Sequence, residues 1–241
     1  MNTSSISTSR ILTEFAILTV SLYAAWYVFT AIVYPSWGLE GNAPVPARTI
    51  VAVILIAIFL KHSGQTFADL GFYQPKRMWL VLVSALFLVV LQIFGLQFVV
   101  FFATKGFEAF ELDHELYRHL QGSELALVGW LTIVWTAAAF GEEIFFRGYL
   151  IQRITTLLGG GTAALWLAVA GQAALFGLGH AYQGPVAIIG TGMGAFMFGA
   201  FYVLSGPLLG GRNLWPVIIA HGFIDTLGLT LIYFNGVPST G

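Results

Sequence analysis

GEEIFFRGYL, residues 141–150, places two adjacent carboxylates, Glu142 and Glu143, and a cation, Arg147, inside an apolar run. The run extends from about Leu125 to Leu158, and its only charged residues are Glu142, Glu143, Arg147 and Arg153. Without them it is an uncomplicated membrane helix. A carboxylate or guanidinium at the bilayer centre costs about 2.5–3.5 kcal/mol on insertion scales. Three such groups within six residues have little structural justification, so the stretch reads first as a functional site.

The rest of the chain agrees with a membrane setting. Hydrophobic residues make up 58 % of the 241 and charged residues 9 %, against roughly 25 % charged in a soluble domain. Mean hydropathy is +0.84. These values predict an all-α, polytopic transmembrane helical bundle whose surroundings are the lipid bilayer. The net charge of −1 and the lack of a basic block exclude nucleic acid as an expected partner. No cysteine is present, which rules out disulfides, thiolate zinc sites and thiol nucleophiles.

Outward from the central run, apolar segments predict about seven spans: roughly 11–33, 47–60, 78–103, 125–158, 163–179, 185–204 and 214–234. The first is too long for the apolar core of a signal peptide and reads as a retained anchor. The second is short, at the lower edge of what crosses the hydrocarbon. Lys and Arg are biased toward the side of the N-terminus, so an integral, multi-pass protein with a cytoplasmic N-terminus is expected. The organisation expected is residues 1–124 as N-terminal helices and loops, 125–234 as a catalytic core and 235–241 as a tail.

Three constellations carry chemistry. On a helix, Glu143 and Arg147 are four apart and share a face, so they are expected to form a self-compensating ion pair. Glu142 points elsewhere and has no dedicated cation, as suits a general base. An ion pair that merely locks helices would explain Glu143 and Arg147 but not Glu142. The fifth span ends LFGLGHAY, with His180 four residues after Phe176 on one face; a histidine snorkelling at the interface is the plain alternative. The last span carries HGFID, where His221 and Asp225 are again four apart, and Asn213 and Pro216 mark the start of its helix. A His–Asp pair inside hydrocarbon fits a proton relay, half of a metal site or a donor pair for an oxyanion. HELYRH at 114–119 imitates a metallopeptidase motif but separates its histidines by five, so they do not converge on one metal. It reads as a solvated amphipathic helix.

In this order, Glu142-Glu143-x-x-x-Arg147, Phe176-x-x-x-His180 and His221-x-x-x-Asp225 resemble the CPBP family, the CAAX protease and bacteriocin-processing (Abi) proteins that include the type II CAAX prenyl endopeptidases. ADLGF at 68–72 is similar to a family habit. The resemblance covers roughly residues 125–234 and implies an intramembrane endopeptidase in a prokaryotic plasma membrane, acting on a membrane-associated or lipidated peptide or protein. It implies that Glu142 and His180 activate a water, that His221 and residue 225 stabilise the oxyanion, and that Glu143 and Arg147 orient the site. It requires no cofactor; a zinc-dependent version would draw on Glu142, His180 and His221. Asp225 stands where the prenyl endopeptidases have Asn, and an ionised Asp cannot donate to an oxyanion. A non-enzymatic reading (an immunity factor, a scaffold or a proton-coupled transporter) uses the same residues, although no transporter-type repeat is visible. Glu142 and His180 can share a water only if the fourth and fifth spans form one long hairpin, which is the arrangement expected.

Overall fold

The computed structural model describes residues 6–33, 46–106 and 115–237. The loop at 34–45, the acidic segment up to His114 and the tail after Val237 lie outside the described residues. Among the described residues, seven long helices follow one another: α1 Thr8–Val33, α2 Pro46–His62, α3 Met78–Gly106, α4 Glu124–Leu157, α5 Gly161–Gly179, α6 Pro185–Leu204 and α7 Trp215–Asn235. Six are long and apolar enough to cross a membrane; α2, with 17 residues, falls just short. No strand occurs among the described residues. The chain is an integral, multi-pass helical bundle, as its composition dictates.

The helix ends follow local chemistry. Ser7 caps α1 by accepting from the Arg10 N–H at 3.3 Å, and Ser123 caps α4 through the Ala126 N–H at 3.3 Å. Asn213 accepts from the Trp215 N–H at 2.9 Å, and Pro216 occupies the first turn of α7. Large apolar side chains such as Val20, Leu86, Phe94 and Leu167 point outward, as a lipid-facing surface requires.

Contacts at the helix ends fix an up-and-down order. Arg10 near the start of α1 donates to the His62 and Phe59 carbonyls at the end of α2, each at 3.1 Å. At the opposite end the Gly122 N–H bonds the Tyr233 carbonyl of α7 at 3.1 Å. The ADLGF segment makes a tight turn that dips into the bundle. Gly71 sits at φ 83°, and a Cβ there would meet the Arg212 carbonyl at 2.7 Å, so only glycine fits. Leu70 is fully buried, and its carbonyl accepts from Tyr202 at 2.9 Å.

Two features depart from sequence expectation. From Val134 to Leu150, α4 widens into a π-helix, closed where the Ile151 N–H reaches back five residues to the Phe146 carbonyl. Such stretches are rare and concentrate at functional sites. Residues 115–120 do not form a solvated amphipathic helix. They make a short 3₁₀ turn docked on α4 and α7, with Leu120 buried and His119 accepting from Trp130 Nε1 at 2.8 Å.

Candidate active site

The expected hairpin is present. Helices α4 and α5 run antiparallel from the turn at Gly159 and Gly160, and the rings of Phe146 and Phe176 meet edge to face at 5.0 Å. Glu142 lies four residues before Phe146, and His180 four residues after Phe176. In antiparallel helices these steps run the same way along the bundle, so the carboxylate and the imidazole stand at one level.

Glu143 is the hub of the buried part. Its Oε1 accepts from Arg147 Nη1 at 2.9 Å and from His221 Nδ1 at 2.8 Å. Glu143 and Arg147 are 0 % and 1 % exposed, so this is an ion pair inside the bundle. The Arg147 guanidinium is also sandwiched by aromatic faces, 4.7 Å from the Phe176 ring centre and 5.5 Å from that of Phe198. The compensation is incomplete: among the described residues, Glu143 Oε2 and Arg147 Nε are buried with no hydrogen-bond partner. His221, with Nδ1 committed to Glu143, turns Nε2 toward Asp225 Oδ2 at 3.5 Å.

Glu142 differs from its neighbour. Its side chain is only partly buried and makes no direct hydrogen bond to a described residue. The charged groups bearing on it are His221, Asp225, Glu143 and Arg147. His180, which terminates α5, has Nδ1 at 2.9 Å from the Phe176 carbonyl. A carbonyl only accepts, so Nδ1 carries the proton and neutral His180 presents a lone pair on Nε2. Its ring stacks on Phe176 at 4.7 Å and on Tyr182 at 6.0 Å.

Arg147, His180 and His221 gather around the Phe176 ring, Glu143 and Asp225 join them through His221, and Glu142 lies within electrostatic reach of His221. The pair Glu143–Arg147 forms, and His221 and Asp225 face each other. His221 hydrogen-bonds Glu143, not Glu142, although Glu142 is within its electrostatic reach. Among the described residues, no group of three or more His, Asp or Glu side chains is placed to hold a metal ion. Sequence reasoning passed over Phe198, which has no motif of its own, and Tyr117 and Tyr182, which flank the site from outside the spans.

A profile of Type II CAAX prenyl endopeptidase Rce1-like proteins matches residues 124–227, from the first residue of α4 to two residues past Asp225. Residues 124–227 are an Rce1-like domain. No curated protein and no solved structure matches the chain. The Rce1-like domain contains all six gathered residues, and helices α1 to α3 precede it.

Proposed function

We propose that the protein is an intramembrane endopeptidase that hydrolyses a peptide bond in a membrane-associated or lipidated peptide, with Glu142 as the general base. The observation that carries this reading is the contrast within one dipeptide. Glu143 is engaged through Oε1 by Arg147 and His221, while Glu142 is partly open, without a hydrogen bond to any described residue, and level with His180. A water between Glu142 and His180 Nε2 gives up a proton to the carboxylate as its oxygen attacks the scissile carbonyl. The imidazole lone pair holds and orients that water. The proton on Glu142 then passes to the departing amine as the C–N bond breaks. Asp225 and His221 form the wall beside the developing oxyanion, and Glu143 and Arg147 hold His221 in place. A helix-locking, non-enzymatic role accounts for Glu143, Arg147 and His221 but gives Glu142 nothing to do. The bias of Lys and Arg toward the side of the N-terminus supports a cytoplasmic N-terminus.

The test is cleavage of a quenched fluorescent peptide carrying an S-prenylated cysteine, with the full chain in liposomes. Glu142→Gln and His180→Ala should each lower kcat by about 10²–10⁴-fold, the range for a lost acid–base group. Wild-type rates in both variants would remove the proposal.

A further inference from the structure

The hydrolysis proposed above needs a hydrogen-bond donor for the oxyanion, and the last helix supplies one poorly. Asp225 as a carboxylate only accepts. The Nδ1 of His221 is committed to Glu143 at 2.8 Å, and its Nε2 faces the Asp225 carboxylate at 3.5 Å. A donor stands on the other wall. Tyr117, on the 3₁₀ turn before α4, packs its ring edge-on against Trp130 at 5.0 Å. Gln183 Nε2 reaches the Tyr117 hydroxyl at 3.5 Å and the Tyr182 hydroxyl at 3.2 Å. Tyr182 in turn stacks on His180. A chain of contacts therefore leads from Tyr117 through Gln183 and Tyr182 to the candidate site.

The chemistry of that chain is directional. An amide N–H occupies a lone pair of the Tyr117 oxygen, so the O–H is left to donate elsewhere. Asp225 and Glu142 both bear electrostatically on this hydroxyl. Burial first, and then the charge of Asp225, push the Tyr117 hydroxyl above its usual range, so it remains protonated.

We propose that Tyr117 is a catalytic residue that donates a hydrogen bond to the oxyanion, the role that Asp225 cannot fill as a carboxylate. The inference rests on the peptidase reading. As water adds, the carbonyl π pair moves onto oxygen, and the Tyr117 O–H stabilises it without transferring its proton. Tyr117 lies seven residues before the matched domain, so the site would be completed from outside it.

The experiment compares Tyr117→Phe, Asp225→Asn and the double variant in the liposome assay with the S-prenylated reporter. Tyr117→Phe should lower kcat about 10²–10³-fold, as loss of one oxyanion donor does, with KM within threefold. Asp225→Asn restores an amide donor next to the oxyanion and should return the double variant at least tenfold above Tyr117→Phe alone. A kcat within threefold of wild type in Tyr117→Phe overturns the proposal. So does a loss that Asp225→Asn does not recover, which marks a packing role. Glu142→Gln in parallel separates the two readings. Activity that depends on Glu142 but not on Tyr117 removes only this inference; cleavage independent of Glu142 removes both.

Discussion

Arg147 is the side chain the site can least lose. Its removal would leave Glu143 as an uncompensated charge at 0 % exposure, with only His221 beside it. Breaking one partner of a buried pair costs about 3–5 kcal/mol. Arg147→Met should therefore lower stability by that amount in detergent unfolding, read by tryptophan fluorescence or scanning calorimetry. Arg147→Lys should recover only part of it, because an ammonium cannot lie flat between Phe176 and Phe198; full recovery would mean that charge alone matters there. At this scale the sequence was informative wherever partners lie four apart on one helix, as with Glu143–Arg147 and His221–Asp225. It could not assign His221 to Glu143, since 78 residues separate them and only the packing of α7 on α4 chooses between two adjacent carboxylates. Nor could it find Glu14, which is buried in α1 and takes hydrogen bonds from Tyr149 at 2.7 Å and Arg153 at 2.8 Å. A single acid near the start of a span looks like an interface residue until its partners are known.

Between elements, the site depends on how closely α5 approaches α6. Gly177 lies three residues before His180, and a Cβ there would collide with the Ile188 carbonyl of α6 and sit 3.1 Å from Gly192 Cα. The obstacle is backbone, which cannot swing aside as a side chain can. Gly177→Ala should force the helices apart, cost about 1–3 kcal/mol as overpacking does, and shift His180 away from the Glu142 level. The expected signature is a lower unfolding midpoint together with a fall in reporter cleavage. Gly171→Ala, with open space around its position, serves as the control and should change neither. The abundance of small residues announced close helix contacts in the sequence, and the hairpin was legible from distances counted along α4 and α5. The π-helical stretch was not. A reading by 3.6-residue periodicity assumes the backbone pattern that this stretch abandons, and the residues of 134–150 are ordinary for an α-helix.

Across the whole molecule, two buried polar clusters sit at different depths. Glu14, Arg10, Tyr149, Arg153 and Gln65 tie α1 and the loop after α2 to the glycine-turn end of α4. The candidate site lies toward the opposite end, where α5 stops at His180. The crossing order was legible from hydropathy except at α2, whose 17 residues span only about 25 Å against a hydrocarbon core of roughly 30 Å. Arg10 bonds the carbonyls of Phe59 and His62 and the Ser63 hydroxyl, so the start of α1 and the end of α2 share one end of the bundle, as a crossing α2 requires. Because the chain has no cysteine, single substitutions can report this directly. Exposed Ser9, Lys61 and Ala181 are the positions to use. Ser9→Cys and Lys61→Cys should react with a membrane-impermeant maleimide from the same side. Ala181→Cys, three crossings after Lys61 and beside His180, should react from the other. With the N-terminus inside, only Ala181→Cys labels in intact cells, and the site opens outward. Labelling of Ser9→Cys and Lys61→Cys from opposite sides would show that α2 stays within one leaflet and that the bundle crosses six times.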